Sequence, residues 1–436
     1  MKNVFFETYG CQMNKADSDN LSLELTQKNN FKVVFSPNEA DFVVINTCSV
    51  RKTAETRIWG RLGFYKNLAQ THNFTLIVMG CMAERLKDDL INSKFPVDIV
   101  VGTNNKKKLA EIISNYKKNT KIVLTGFDEY GDFFKYSSPD SENSLRAFVN
   151  ISHGCNNFCS YCIVPYLRGR EKSRTTHEII DDINKLTLQG VKEITLLGQN
   201  VNSYGNDSGD IPFYLLLRKI IAETDVENIK FLSSHPKDFS DELIDEISSN
   251  RRISRWVHLA LQSGSNRILE LMNRKYTAEL YLNIVKMLKQ KVSGLFLTTD
   301  IITGFSTETE DEFLYTYDLM KEIRFDDAYM YKYSVREGTD AHKRFVDDVP
   351  DEVKVERLKK IIDMQNIINI ENKQGRIGSI FKTIPDKISR RNSLQIHSTT
   401  FENIPIVFRG DTSHLSRVLS VRATGLKGVT MIGELV

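Results

Sequence analysis

The chain has 436 residues, of which 41% are apolar and 26% are charged, and these proportions exclude a disordered or fibrous protein. Its length exceeds the size at which a single hydrophobic core stops growing, so we expect two or three domains. Lysine and arginine outnumber aspartate and glutamate by only 59 to 56, so the chain as a whole is not basic enough to attract nucleic acid. Any contact with nucleic acid must therefore come from a local patch of positive charge.

The first residues are too polar for a signal peptide, and no apolar run is long enough to cross a membrane. We therefore expect a cytoplasmic protein. Thiols stay reduced in the cytoplasm, so the six cysteines are expected to be metal ligands or catalysts rather than disulfides.

The first part of the chain alternates short apolar runs with helical stretches. The runs lie at residues 4–9, 42–47, 75–80 and 98–102. This pattern is typical of a doubly wound parallel sheet. A polar segment at residues 128–143 has the composition of a linker and predicts a domain boundary.

Six strand–helix repeats follow, which predict a partial (β/α)6 barrel. The predicted strands lie near residues 145–151, 193–197, 229–233, 256–261, 295–303 and 326–334. A long helix is predicted at residues 349–374, and short alternating runs beyond it indicate a small all-β barrel. Residues 376–436 contain nine lysines and arginines against four acidic residues, so positive charge is concentrated at the C-terminus.

Three cysteines each stand at the end of an apolar run in the N-terminal part: Cys11, Cys48 and Cys81. The carboxyl ends of parallel strands meet at one edge of a sheet, so these thiols are expected to converge. The alternative is that each is a small buried hydrophobic residue.

The other three cysteines form a C-x3-C-x2-C sequence after the first predicted barrel strand: Cys155, Cys159 and Cys162. This spacing places three thiolates around one metal centre, and thiolates hold [4Fe–4S] clusters. Three protein ligands leave one iron of such a cluster open to a small chelating molecule. The alternative is a zinc site with His153 as the fourth ligand.

Seven segments together resemble the radical S-adenosylmethionine (SAM) methylthiotransferases: TYGCQMN, INTCSVR, VMGCMAER, GCNNFCSYCIVPYLRGREKSR, LLGQNVNSYG, HLALQSGS and TDIITGF. They cover most of the first 310 residues. The resemblance is greatest to the branch that methylthiolates C2 of N6-isopentenyladenosine at tRNA position 37. Alternative substrates within the family are threonylcarbamoyladenosine in tRNA and an aspartate of ribosomal protein S12. Outside the family, the alternative is a zinc-stabilised or redox-sensing RNA-binding protein.

The resemblance implies three domains: a methylthiotransferase N-terminal domain at 1–118, a radical SAM core at 141–374 and a TRAM-like RNA-binding domain at 375–436. It also implies two [4Fe–4S] clusters, a SAM-binding one on Cys155, Cys159 and Cys162 and a sulfur-carrying one on Cys11, Cys48 and Cys81. SAM is expected as substrate and radical source. The expected partners are a tRNA anticodon stem-loop and electron and sulfur donors of unidentified nature, with a monomeric chain and no membrane.

Polar residues at the predicted ends of barrel strands are candidates for the cofactor pocket: Gln199, Gln262, Ser263 and Asp300. The alternative for each of them is a turn residue or a buried polar group whose hydrogen bonds are satisfied within the fold. Three arginines after the second cysteine triplet, Arg168, Arg170 and Arg174, could hold RNA phosphates or the SAM carboxylate, or form a solvated basic loop.

The C-terminal region offers candidates for RNA binding. Phe401 and Phe408 could stack on bases, with burial in the core as the alternative. The arginines expected to contact the RNA backbone are Arg390, Arg391, Arg409, Arg417 and Arg422.

The chain departs from the family at Ser306 and Thr307, where a Pro-Gly pair is usual.

Overall fold

The computed structural model describes residues 1–49, 52–127, 137–390 and 392–436. Over these ranges, no helix combines the length and the apolarity needed to cross a membrane. The elements form three groups, here called the N-terminal sheet, the central array and the C-terminal barrel. The linker predicted at 128–143 lies partly outside the described residues, and its last residues belong to strands of the central array.

The N-terminal sheet has six parallel strands in the order β2-β1-β3-β4-β5-β6. The strands are β1 (Lys2–Thr8), β2 (Phe31–Val33), β3 (Phe42–Thr47), β4 (Thr75–Gly80), β5 (Val97–Val101) and β6 (Ile122–Leu124). The helices are α1 (Gln12–Lys28), α2 (Lys52–Leu68), α3 (Cys81–Leu86), α4 (Asp88–Ile91) and α5 (Lys108–Asn115). Because β3 and β4 are buried along their whole length, both faces of the sheet are covered. The predicted α/β class is confirmed.

The central array contains six parallel strands and three short antiparallel ones. The parallel strands are β8 (Asn143–Asn150), β11 (Glu193–Leu197), β12 (Asn228–Phe231), β13 (Trp256–His258), β14 (Phe296–Thr303) and β15 (Asp327–Lys332). The others are β7 (Pro139–Asp140), β9 (Ser152–His153) and β10 (Lys172–Ser173). Single bridges between Ile229 and Ile253 and between Ser234 and Leu259 join the two sheets, β12-β11-β8-β7 and β13-β14-β15, into one curved array.

Helices cover the outer face of the central array. They are α6 (Val164–Arg168), α7 (Thr176–Leu188), α8 (Phe213–Glu223), α9 (Asp241–Ser249), α10 (Asn266–Leu271), α11 (Ala278–Lys291), α12 (Glu310–Ile323), α13 (Asp340–Arg344) and α14 (Asp351–Gln374). Capping boxes begin α7 at Thr175 and α12 at Thr309. The apolar faces of α7 to α12 and α14 pack on the strands in one continuous core, whereas α6 packs on Cys81 of the N-terminal sheet and α13 packs on Phe305 and Tyr333 in a smaller cluster.

The C-terminal barrel is a closed five-stranded barrel with the order β16-β17-β18-β20-β19. Its strands are β16 (Ile380–Ser389), β17 (Asn392–Thr400), β18 (Pro405–Arg409), β19 (Leu419–Lys427) and β20 (Thr430–Leu435). The barrel packs against the N-terminal ends of the central strands, where Trp256 and Phe296 join its apolar core. It therefore closes one end of the central array.

Candidate functional site

Cys11, Cys48 and Cys81 follow three strands that are neighbours in the N-terminal sheet, β1, β3 and β4. The pairing of Thr47 with Gly80 sets Cys48 and Cys81 side by side, and the pairing of Thr8 with Asn46 brings Cys11 to the same edge. The structure thus brings the first triad together at one edge of the sheet, as its sequence positions predict.

The turn that carries Cys11 approaches Cys48 closely because of Gly10. Its φ of +122° suits glycine, and a side-chain carbon there would lie 2.7 Å from Cys48 Cβ. Asn14 holds the turns that follow β1 and β3 in place, because its Nδ2 donates to the carbonyls of Tyr9 at 2.9 Å and Thr47 at 2.8 Å. Cys11 is exposed, whereas Cys48 and Cys81 are buried.

Cys155, Cys159 and Cys162 lie in the loop between β9 and α6, beyond the C-terminal end of β8. The turn begins at Gly154, whose φ is +79° and whose missing side chain leaves room for the Arg170 carbonyl. Ser160 anchors the loop, because its amide and hydroxyl donate to the carbonyls of Met272 and Leu271 at 2.9 and 2.7 Å.

In the second triad Cys155 and Cys159 are buried, Cys162 is half-buried, and the three thiols influence one another electrostatically. Burial raises the pKa of Cys155 to about 12, with a smaller contribution from Cys159. Burial, followed by Cys159, raises the pKa of Cys162 well above its ordinary value. Without a metal these thiols stay protonated, and a bound metal would displace their protons.

Each triad offers three thiolate ligands, the donor set that [4Fe–4S] clusters use. No three Cys, His, Asp or Glu side chains in the described ranges gather around one point as a single metal ion requires. A cubane cluster instead takes each thiolate on a different iron. His153 is buried, and its Nε2 lies 3.1 Å from Asn104 Oδ1, so that nitrogen is engaged on the side of the N-terminal sheet.

Unsatisfied polar atoms surround the C-terminal ends of the central strands. Five buried side-chain atoms lack a hydrogen-bond partner among the described residues: Gln199 Oε1, Asn200 Oδ1, Ser234 Oγ, His235 Nε2 and Gln262 Oε1. Burying such groups unpaired is unfavourable, so their grouping after β11, β12 and β13 indicates a polar ligand.

The predicted pocket residues differ in their surroundings. Gln262 adopts a left-handed φ of +71°, and Gln199 Nε2 lies against Met13 Sδ of the N-terminal sheet. The Ser263 hydroxyl is instead engaged within the fold, by Thr316 Oγ1 at 3.3 Å and by the Ser265 amide at 3.2 Å.

A cavity of about 820 Å³ lies between the three groups of elements. Cys11, Cys48 and Arg57 line the side formed by the N-terminal sheet, and Thr399 and Asn403 line the side formed by the C-terminal barrel. Residues of the central array line the remainder, including Phe148, Thr195, Leu232, Trp256, His258, Asp300 and Tyr329. Asp300 Oδ2 lies 3.1 Å from His258 Nε2. The first triad therefore opens into the curved face of the central array.

The three arginines after the second triad have different roles from those expected. Arg174 is buried and pairs with Asp182 at 3.0 Å, so it stabilises the fold and cannot hold an RNA phosphate. Arg168 is also buried, within the interface with the N-terminal sheet. Arg170 alone is exposed, and it stacks on Phe158.

Arg274 was not singled out from the sequence, yet it is buried and its Nη1 lies 3.3 Å from Cys159 Sγ. The same side chain donates to the Ala260 carbonyl at 2.9 Å, which links the second triad to the end of β13. Only the polar segment NRKY after an apolar helix could have marked it.

In the C-terminal barrel, the aromatic residues predicted to contact RNA are buried, whereas four of the predicted arginines are exposed. Phe401 and Phe408 belong to the apolar core, 7% and 2% exposed, so the stacking prediction is wrong. Arg391 lies outside the described residues. The other four predicted arginines are exposed: Arg390, Arg409, Arg417 and Arg422.

Two family models match the chain. Residues 149–320 match the radical SAM superfamily, and residues 3–102 match the uncharacterized protein family UPF0004. The chain is 43% identical, over all its length and 93% of the relative's, to the tRNA-2-methylthio-N(6)-dimethylallyladenosine synthase of Thermoanaerobacter pseudethanolicus. It is 42% identical to the synthase of the same name from Bacteroides thetaiotaomicron, over 99% of this chain and 96% of that one.

Solved structures share the fold at low sequence identity. The radical SAM methyltransferase TsrM from Kitasatospora setae superposes with a TM-score of 0.56 and 12% identity, over 76% of this chain and 73% of that chain. The cobalamin-dependent radical SAM enzyme OxsB gives a TM-score of 0.51 and 13% identity, over 83% and 56% of the two chains.

Proposed function

The chain belongs to the radical SAM methylthiotransferases, among the tRNA-2-methylthio-N(6)-dimethylallyladenosine synthases, and from that premise we propose how its residues divide the reaction. The enzyme replaces the hydrogen at C2 of N6-isopentenyladenosine, at tRNA position 37, by a methylthio group. That C–H bond is neither acidic nor electrophilic, so no ordinary side chain can exchange it. Two [4Fe–4S] clusters and SAM, when bound, supply a 5′-deoxyadenosyl radical and the sulfur and methyl groups.

Cys155, Cys159 and Cys162 hold the cluster that binds SAM. The observation that supports this assignment is the group of unsatisfied polar atoms after β11, β12 and β13, at the same end of the central array as the triad, including Gln199 Oε1 and Gln262 Oε1. These two side chains orient SAM, together with Asn200, Ser234 and His235. Ser263 supports the turn that presents Gln262.

Cys11, Cys48 and Cys81 hold the cluster that carries the sulfur. The observation that supports this assignment is their convergence at the end of three neighbouring strands, with Cys11 and Cys48 lining the cavity that the central array also lines. The cavity is large enough for a nucleoside, and ligand pockets of this size bury most of a small molecule. Adenosine 37 enters it after leaving the anticodon loop.

The proposed domains are a methylthiotransferase domain at 1–118, a radical SAM core at 141–374 and a TRAM-like domain at 375–436; β6 and β7 lie between the first two ranges and pair with the N-terminal sheet and the central array, respectively. The last of these binds the tRNA backbone through its exposed arginines, which concentrate positive charge on this domain. The enzyme works as a cytoplasmic monomer with separate electron and sulfur donors.

Two triple variants of the full-length enzyme test the division between the triads. Changing Cys11, Cys48 and Cys81 to Ala should lower iron from about eight to about four per chain and abolish the methylthio product, while SAM cleavage continues. Changing Cys155, Cys159 and Cys162 to Ala should abolish 5′-deoxyadenosine formation as well.

Because metal binding and folding are coupled, circular dichroism must show that both variants are folded. Methylthiolated adenosine formed at the normal rate by the folded Cys11, Cys48 and Cys81 variant would contradict the proposal. So would SAM cleavage at the normal rate by the folded variant of the second triad.

A further inference from the structure

Arg168 belongs to the central array but reaches into the N-terminal sheet. It ends α6, six residues after Cys162 in the sequence, and its side chain is 3% exposed. Its Nη2 donates to Asn14 Oδ1 at 3.0 Å, the same oxygen that faces Cys11 Sγ at 3.7 Å. The neighbouring Ile163 and Leu167 pack on Cys81. One short helix therefore connects the second triad with the first.

The charge balance around Arg168 leaves an excess of positive charge. Asp17 Oδ2 lies 2.5 Å from Lys106 Nζ and 3.9 Å from Arg168 Nη2, so one buried carboxylate faces two buried cations. Arg168 is held in place beside the first triad, because its Nη1 and Nη2 contact Met13 Sδ and Asn14 Oδ1, two and three residues after Cys11. A buried cation needs a compensating anion, and the sulfur atoms of the first triad lie where that anion is required.

We propose that Arg168 is a positioning residue that supplies a fixed positive charge to the sulfur atoms of the first-triad cluster and stabilises its reduced, more negative state. The inference rests on the proposed function, in which Cys11, Cys48 and Cys81 hold that cluster. Net charge and hydrogen bonds to sulfur set the potential of iron–sulfur clusters. Arginine suits this role because its guanidinium stays protonated at every accessible pH.

Arg274 provides a matched control. It is another buried arginine that faces a cysteine, but its contacts are with Cys159, Ala260, Tyr161 and Tyr276 around the second triad. Losing Arg274 should therefore disturb the fold to a similar degree as losing Arg168 without removing the charge beside the first triad.

The test uses the full-length, iron-reconstituted chain in which Cys155, Cys159 and Cys162 are alanine, so that only the first triad holds iron. The fraction of reduced cluster is followed by electron paramagnetic resonance during a redox titration. At the midpoint potential of this parent, Arg168→Met should lower the ratio of reduced to oxidised cluster at least about tenfold, which is about 59 mV for one electron. Arg168→Lys and Arg274→Met should leave the ratio within about threefold of the parent, which is about 28 mV.

A ratio within about threefold of the parent in Arg168→Met, with full iron content, would overturn the inference. If the parent does not fold, both clusters are titrated in the chain with all six cysteines. In that chain, Arg168→Met should shift the redox transition of one cluster and Arg274→Met that of the other cluster. A shift of the same transition in both variants would overturn the inference. A wild-type chain with only one cluster would instead contradict the proposed function.

Discussion

Glu193 Oε2 lies 2.9 Å from Lys230 Nζ, and the two side chains are 3% and 4% exposed. Glu193 also accepts from Arg146 Nε at 2.9 Å on the wall of the cavity, and Arg146 pairs in addition with Asp386 of the C-terminal barrel. Lys230 and Arg146 donate in turn to the carbonyls of Thr400 and Thr399 in the C-terminal barrel, at 3.2 Å each. The barrel thus completes a buried polar network of the central array.

Glu193→Ala should destabilise the protein by roughly 3–5 kcal/mol, because it leaves the buried Lys230 without its carboxylate partner, while Arg146 keeps its pair with Asp386. The matched control is Glu227→Ala, which removes a half-exposed pair with Lys192 and should cost at most about 1 kcal/mol. Thermal unfolding followed by circular dichroism compares the two variants. Equal unfolding midpoints would show that the network contributes little.

The same network affects how RNA binding is tested. Deleting residues 376–436 would uncover Trp256, Phe296 and the buried charges, so a loss of tRNA affinity could reflect damage to the central array. Substitutions on the outer face of the barrel avoid this problem. Lys387 and Arg409 are exposed there, and β17 lies between them, pairing His397 with Lys387 and Gln395 with Arg409.

We expect the double variant Lys387→Ala and Arg409→Ala to weaken tRNA binding and flatten its dependence on salt. Each lost phosphate contact reduces the slope of log K against log salt by roughly 0.7–0.9, so losing two contacts should reduce it by roughly 1.4–1.8. Fluorescence anisotropy over a range of salt concentrations measures this slope. Lys286→Ala, on the exposed face of α11, is the control, and an equal slope in both variants would contradict the RNA-binding surface.

Gln262 and Ser263 are adjacent but should respond differently to truncation. Because Gln262 Oε1 has no partner among the described residues, Gln262→Ala should weaken SAM binding about tenfold, the equivalent of one hydrogen bond of about 1.4 kcal/mol. Ser263→Ala removes the hydrogen bond from the Ser265 amide and should cost about 1 kcal/mol of stability without changing SAM affinity. Isothermal titration with SAM and thermal unfolding separate the two effects. Identical SAM affinities in both variants would argue against the role of Gln262.

Thr307 has a left-handed φ of +65° at a position where related enzymes usually carry glycine. A β-branched residue is strained there, so Thr307→Gly should stabilise the protein by about 1 kcal/mol. Its amide still donates to Asp348 Oδ1, at 2.7 Å, after the change. Thr309→Gly, at the extended N-cap of α12, should be destabilising instead. A lower unfolding temperature for Thr307→Gly would refute the strain argument.

Glu171 should make stability depend on pH. Burial, opposed by a hydrogen bond from Ser203 and reinforced by Asp207 and Asp238, raises the pKa of Glu171 to about 7. Between pH 4.5 and 7 the unfolded chain releases a proton that the folded chain keeps, so wild-type stability falls as pH rises. The advantage of Glu171→Gln over wild type should therefore grow across this window, up to about 3 kcal/mol. Urea unfolding at several pH values measures it, and a difference that stays constant with pH would contradict the raised pKa.

The sequence by itself determined the elements that local pattern specifies. The apolar runs at 42–47 and 75–80 are strands with those bounds, because side chains of a buried parallel strand must be apolar on both faces. The convergence of Cys11, Cys48 and Cys81 followed as well, since equivalent positions at the ends of parallel strands share an edge. Strands β2 and β6 were missed, because three residues are too few to show a period.

Only the tertiary structure decided which side chains meet across distant parts of the chain. Arg168 contacts Asn14 across 154 positions, and Lys230 contacts Thr400 across 170. No local period encodes such pairs, because each depends on how whole groups of elements dock. Tertiary structure also decided that Phe401 and Phe408 lie in the core, because closing a small barrel buries alternate side chains. Their aromatic chemistry alone would have suited an exposed surface equally well.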